Sequence, residues 1–224
     1  MITRELLGTA IVPDGDDELR LYRRGGDFMI VMDRNELMNS RMSGSEEALA
    51  VMTIERLRGR PAPHLLIGGY GMGFTLRAAL AELGRDASVT VAELVPEIID
   101  WAQGAMAELT AGCLDDPRLT LDMVDVGLLI REKPSHYDAI LLDVDNGPDG
   151  LTRAANNGLY TRSGLAAAKA ALKPGGILAV WSAAPDVRFA KALSDAGFIV
   201  DEVAVRARSN GKGARHVIWF ATKR

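Results

Sequence analysis

The stretch Leu65-Leu66-Ile67-Gly68-Gly69-Tyr70-Gly71-Met72-Gly73-Phe74 decides how the rest of the chain is read. It opens uniformly apolar, as a strand does when it is buried on both faces of a parallel sheet. The run passes straight into glycines, and a helical pattern follows from Phe74. Glycine lets the backbone turn sharply and lets a ligand approach the main chain. The helix behind it offers free N–H groups and the positive end of its dipole. In open parallel sheets a ligand sits in the crevice beyond the strand ends. The alternative is a glycine turn that only packs a helix tightly on a strand.

The next strand weighs against that alternative. Val89-Thr90-Val91-Ala92-Glu93 ends in an acid 20 residues past Gly73. A carboxylate there can accept two hydrogen bonds from ribose hydroxyls, each contributing roughly 1.5–3 kcal/mol. A dinucleotide fingerprint needs G-x-G-x-x-G or A, and Phe74 occupies the sixth position counted from Gly69, which argues against a nicotinamide cofactor. The pattern Gly69-x-Gly71-x-Gly73 instead resembles the motif of class I S-adenosylmethionine-dependent transferases. That resemblance implies a second acid, at the end of the following strand, reaching the adenine amino group. Asp125 is expected there, with Asp122 as the alternative register and a plain helix N-cap as the alternative role.

Working outward, strands are expected over residues 64–67, 88–93, 119–124, 137–143 and 176–182. Helices are expected over 74–83, 96–109, 163–172 and 185–196. Strands over 198–206 and 216–222 flank a Gly211-Lys212-Gly213 turn. This alternation predicts an α/β fold with a parallel sheet covered on both faces and an antiparallel last strand. Ser43 and Glu46 have capping-box spacing before a helix ended by Gly59 and Pro61. Ahead of it, strands over 5–12, 19–22 and 28–32 predict a small antiparallel cap spanning 1–42, with the main domain over 43–224.

Composition narrows the class of function. The 224 residues are 48% hydrophobic, enough for a sizeable core, and the formal net charge is −4. That is not the basic footprint of a nucleic-acid binder. Arg206, Arg208, Lys212 and Arg215 cluster locally, as a solvated hairpin or as a contact for an anion. No run approaches the roughly 18 apolar residues needed to span a membrane. Met1-Ile2-Thr3-Arg4-Glu5 lacks a signal pattern, and Cys113 is the only cysteine, so a reducing cytoplasm is expected. His64, His136 and His216 show no metal-ligand spacing, and no metal site is expected.

From about Phe28 to Leu178 the chain resembles the spermidine synthase family. The resemblance rests on the Glu-containing helix before the glycine loop, on Gly68–Gly73 and on Glu93 followed by a helix. It continues through Leu114-Asp115-Asp116-Pro117-Arg118-Leu119, Tyr137-Asp138-Ala139-Ile140-Leu141-Leu142-Asp143, Leu159-Tyr160 and Lys173-Pro174-Gly175-Gly176-Ile177-Leu178. It implies a Rossmann-like class I methyltransferase fold, a seven-stranded mostly parallel sheet behind a β cap. The cofactor it implies is S-adenosylmethionine or its decarboxylated form. Gly68, Gly69, Gly71, Gly73, Glu93, Leu94, Asp125 and Asp143 would bind it. It further implies a small amine-type acceptor and a homodimer assembled partly through the cap.

Asp143 matches the family's first acceptor-binding acid, and Asp143 or Asp145 is expected to orient and deprotonate the acceptor, the alternative being that residues 145–150 are only a turn. Tyr160 is expected either to line the acceptor pocket or to pack as a half-buried core residue. Residues 151–162 are expected to form a lid. The chain departs from the family pattern in three places. Tyr70, Gly71 and Met72 stand where the glycine loop usually carries an acid for the aminopropyl ammonium. The second acceptor acid falls on Asn146, and a glutamine expected near Leu37 to Asn39 is missing. These departures leave methyl transfer, aminopropyl transfer and a non-catalytic binding module all in view.

Overall fold

The computed structural model describes residues 3–13, 15–144 and 157–224. Strands β1 (Glu5–Ile11), β2 (Glu18–Arg24), β3 (Asp27–Met32) and β4 (Asn35–Asn39) form an antiparallel sheet in that order. In β2, Leu19 and Leu21 turn inward while their neighbours are more exposed, the period-2 signature of a sheet with one covered face. Strand β4 was not expected; it pairs with β3 through a register shift between Ile30 and Val31.

The chain continues through α1 (Gly44–Arg56), β5 (His64–Gly68), α2 (Phe74–Glu82), β6 (Ser88–Ala92), α3 (Pro96–Gln103), α4 (Ala107–Thr110) and β7 (Leu119–Asp122). It then forms α5 (Val126–Glu132), β8 (Tyr137–Leu142), α6 (Asn157–Tyr160), α7 (Arg162–Ala171), β9 (Leu172–Ser182), α8 (Val187–Asp195), β10 (Phe198–Arg206) and β11 (Arg215–Lys223). The second sheet has seven strands in the order β10-β11-β9-β8-β5-β6-β7. β7, β6, β5, β8 and β9 run parallel, and β11 is antiparallel to both of its neighbours. The expected α/β sheet with an antiparallel last strand is therefore present. The strand order reverses beside β5, which opens a crevice at the C-terminal ends of β5 and β8.

Leu65, Leu66 and Ile67 are fully buried, which for such side chains contributes roughly 1.5–3 kcal/mol each. Leu65 and Ile67 join a core that also holds Leu21 and Ile30 of the cap, while Leu66 packs on the opposite face with Ile140 and Trp219. The cap thus shares a hydrophobic core with one face of the main sheet. Among the described residues, no helix is long and apolar enough to cross a membrane. Arg206, Arg208, Lys212 and Arg215 are all exposed around the β10–β11 turn.

Several local expectations change. The helix expected over 96–109 breaks at Gly104, whose φ of −101° and ψ of −102° are not helical. Helix α5 lies outside the expected helical ranges and follows instead from the N-cap alternative for Asp125. Ser43 makes no side-chain cap, and Glu46 is bonded by Ser45 instead, so the capping box does not form.

Candidate active site

The glycine loop works as a spacer between elements that almost touch. A Cβ on Gly69, where φ is +87°, would lie 2.8 Å from the Asp143 carbonyl oxygen. One on Gly71 would lie 2.6 Å from Met38 Sδ. Glycine is required at both places, once for the end of β8 and once for the cap. Gly68 and Gly73 complete the loop. The Gly69 N–H donates to the Ala92 carbonyl at 2.9 Å and the Gly73 N–H to the Tyr70 carbonyl at 2.8 Å.

Glu93, just past β6, is 5% exposed. Its Oε2 accepts from the Tyr70 N–H at 2.9 Å, and its Oε1 from the N–H groups of Leu94 (2.8 Å) and Val95 (2.9 Å). One carboxylate therefore fixes both the glycine loop and the start of α3. A carboxylate offers about four acceptor positions, so Oε2 keeps capacity for a ligand hydroxyl. Asp125 does not end its strand: β7 stops at Asp122, and Asp125 caps α5 by accepting from the Gly127 N–H at 2.7 Å. The N-cap alternative is thus realised.

These residues line one hollow of about 160 Å3, walled by Gly69, Gly71, Glu93, Leu94, Asp125, Asp143 and apolar side chains that include Ile98, Val124 and Val126. A second hollow of about 110 Å3 shares Leu19, Leu37, Ile98 and Asp143 with the first and adds Ile30, Met38, Glu46 and Trp181. Among the described residues, every charged side chain lining either hollow is acidic.

Asp143 belongs to both hollows. Its surface forms part of their walls, while its carboxyl sits deep and accepts a 2.7 Å hydrogen bond from Thr75 Oγ1 in the first turn of α2. Burial pushes its pKa up to about 6, with the Thr75 bond opposing. Glu46 is 8% exposed. Ser45 Oγ donates to its Oε2 at 2.7 Å, and His216 Nδ1 lies 2.9 Å from that hydroxyl. With the hydroxyl proton given to Glu46, Ser45 Oγ accepts from His216 Nδ1 in the tautomer that carries its proton there. Burial, and then the charge of Asp143, push Glu46 up to about 8. Trp181 is 8% exposed, stacks edge-on with His216 at 4.8 Å, and its Nε1 has no hydrogen-bond partner among the described residues.

The structure gathers Gly69, Gly71, Glu93, Leu94, Asp125 and Asp143 around one crevice. Tyr160 is placed elsewhere: it packs edge-on against Phe189 at 5.5 Å and is not among the residues lining either hollow. Asp145, Asn146 and residues 151–156 of the expected lid lie outside the described residues. Sequence reasoning missed Glu46 as a site residue. Its signal was phase: Glu46, Leu49, Ala50 and Thr53 share the buried face of α1, so the acid sits on an apolar stripe.

Residues 46–193 match the family model of the spermine/spermidine synthase domain. A polyamine aminopropyltransferase 2 of Pseudomonas aeruginosa is 34% identical over 124 residues, covering 54% of this chain and 33% of that protein. A polyamine aminopropyltransferase of Mycobacterium tuberculosis is 29% identical over 180 residues, covering 78% of this chain and 31% of its own length. The chain thus spans about a third of the length of the curated relatives it matches. Among solved structures, a spermidine synthase from Thermotoga maritima superposes with TM-score 0.78 at 19% identity, over 98% of this chain and 73% of that one. A Burkholderia thailandensis 1,6-didemethyltoxoflavin-N1-methyltransferase superposes with TM-score 0.57 at 20% identity, over 81% of this chain and 79% of that one. At these identities the structural likeness concerns the fold.

Proposed function

The chain belongs to the spermine/spermidine synthase family, and from that premise we propose that it is a transferase using S-adenosylmethionine or its decarboxylated form to alkylate a small amine-type acceptor. The observation that carries this reading is the crevice beyond β5, where the glycine loop, Glu93 and Asp143 line one apolar-walled hollow. The residues fit such a nucleoside. Ile98, Val124 and Val126 offer apolar surface to a base, and Glu93 keeps acceptor capacity for sugar hydroxyls. An all-acidic charge lining suits a positively charged sulfur.

When bound, the cofactor supplies an electrophilic carbon attached to that sulfur. The remaining work falls to the chain. Gly69 and Gly71 let the main chain come close, and Glu93 holds the loop in place through the Tyr70 N–H. Asp143, fixed by Thr75, orients the acceptor nitrogen and takes up its proton. A pKa near 6 keeps Asp143 largely ionised yet basic enough for that role at neutral pH. Asp145 remains the alternative base in this proposal. The amine acceptor and a homodimer paired through the cap belong to the same reading. Leu6 and Ile11 stand 52% and 56% exposed on edge strand β1, which supports such pairing.

Binding followed by thermal shift tests the cofactor. S-adenosylmethionine, its decarboxylated form or methylthioadenosine at about 100 times its dissociation constant should stabilise the fold by roughly 2.7 kcal/mol. Stabilisation by NADH and by none of these would overturn the proposal. The absence of an acid at Tyr70–Met72 favours a second reading, a binding module without turnover. Tight nucleoside binding with no product from a panel of amines would select it.

A further inference from the structure

Arg206, Arg208, Lys212 and Arg215 stand exposed around the β10–β11 turn. Other exposed arginines are matched by acids: Arg23 by Glu5, Arg41 by Asp27 and Arg58 by Glu55. Among the described residues, none of the four turn cations has an acidic partner. Like charges left unmatched repel one another, and an arriving anion relieves that repulsion. The turn that carries them is fixed. The Ala207 N–H donates to the Ala214 carbonyl, the Arg208 N–H to the Lys212 carbonyl and the Gly211 N–H to the Arg208 carbonyl, each at 3.0 Å. Ala207 is fully buried.

The turn is seated on the start of α1. The Gly44 N–H donates to the Ala207 carbonyl at 3.0 Å, and a Cβ on Gly44 would collide with the Arg208 backbone. Gly44 lies two residues, about 3 Å of helix rise, ahead of Glu46, which lines the inner hollow. His216, the residue after Arg215, reaches Ser45 between them. Val217 pairs with Ser182, so β11 begins at the end of the sheet where β9 finishes. The basic turn therefore stands at the crevice end of the sheet, beside a hollow whose own charged side chains are acidic. Two fields of opposite sign share one mouth. A diamine is matched inside and repelled at the rim. An amine with an anionic far end is matched at both.

We propose that the acceptor is zwitterionic: a primary amine, taken by Asp143, joined through a short chain to a carboxylate or phosphate that pairs with the basic β10–β11 turn. The arginine fork suits either anion. This inference rests on the amine-acceptor reading and adds the chemistry of the acceptor's far end. A nucleic acid fits the turn less well, because residues 206–215 include no Phe, Tyr or Trp on which a base could stack, and the acidic hollow beside them repels phosphates.

Calorimetric titration of the protein saturated with methylthioadenosine tests it. The probes are linear primary amines of four, six and eight carbons that differ only at the far end: alkylamine, diamine, amino-carboxylate and amino-phosphate. At the best-fitting length the wild-type protein should bind one of the anionic probes about fivefold or more tighter than the diamine, and the better of the two identifies the anion. Raising the salt from about 0.05 to about 0.5 M should shrink that preference, because the turn is exposed. The double variant Arg208→Gln, Arg215→Gln should erase it while leaving the alkylamine within about twofold. A diamine that binds wild-type protein as tightly as the anionic probes at every length would overturn the inference, and this ranking needs no variant. So would equal weakening of all the probes by the double variant. Tight binding of heparin at the turn without any preference among the amines would give the patch to a polyanionic partner and also overturn it. Failure of every amine to bind would remove the amine-acceptor reading itself, whereas amine binding without an end preference removes this inference alone.

Discussion

Asp138 and Asp143 bracket the same strand and live in opposite electrostatic worlds. Asp138, at the start of β8, is 4% exposed and accepts from the His64 N–H, from Lys173 Nζ at 2.7 Å and from Arg60 Nη1 at 2.8 Å. Burial alone would raise its pKa, but these three donors outweigh it and hold the carboxyl below its ordinary value. Asp143, just past the other end, has Thr75 as its side-chain partner among the described residues, and burial raises its pKa. One acid is satisfied and ties β5, β8 and β9 together at the bottom of the sheet. The other is left under-partnered at the top, where the hollows open. Perturbed, poorly paired acids in a cleft are the expected mark of a functional site, and fully paired ones of a structural tie.

Substitutions at the two ends should therefore fail in different ways. Asp143→Asn should lower kcat by about 10²–10⁴-fold, the usual worth of a positioned acid–base group. It should cost no stability in a urea titration at pH 7, because an amide does not carry buried charge. A variant that kept its turnover would break the assignment. Asp138→Ala should do the reverse. It should lose about 2–3 kcal/mol of stability by the same titration, since a charge-assisted buried acceptor is removed, while nucleoside affinity stays within about twofold.

Acid and base titrations sharpen the contrast. Asp143 moves from 3.8 to about 6 and Glu46 from 4.5 to about 8, so across that range the native state holds protons that the unfolded chain has released. Their contribution is greatest below about pH 4 and is lost as pH rises through 6 and 8. Asp138, depressed below 3.8, contributes in the opposite sense and loses its effect as pH falls through its folded value. Glu46→Gln should flatten the decline between pH 5 and 8 by about 1 kcal/mol per pH unit, read from denaturant midpoints at the two pH values. An unchanged slope would mean that Glu46 is not held protonated in the native state.

The sequence made the frame legible because strand and helix periods differ and glycine punctuates them. The buried run at Leu65–Ile67, the glycines after it and the acid at Glu93 point in the sequence to the crevice that Gly69, Gly71 and Glu93 line. Elements were missed where period and chemistry disagreed. Val126-Gly127-Leu128-Leu129-Ile130 is too uniformly apolar to show a helical phase, and its glycine argues against a helix, yet Asp125 caps one there. Lys173-Pro174-Gly175-Gly176 reads as a turn but lies inside the eleven-residue β9, whose pairing with β8 is irregular between Tyr137 and Ala139. Capping-box spacing with Ser43 assigns Glu46 to the helix start. Only its phase with Leu49 and Thr53 reveals that it faces inward.

The contact between Met38 and Gly71 has a consequence for how this sequence can drift. A side chain at position 71 would press on the far end of the Met38 side chain, and its φ of +56° admits few residues besides glycine, asparagine and aspartate. An acid there would therefore have to push the Met38 thioether aside, and a shorter residue at position 38 would ease its entry, which couples the two positions.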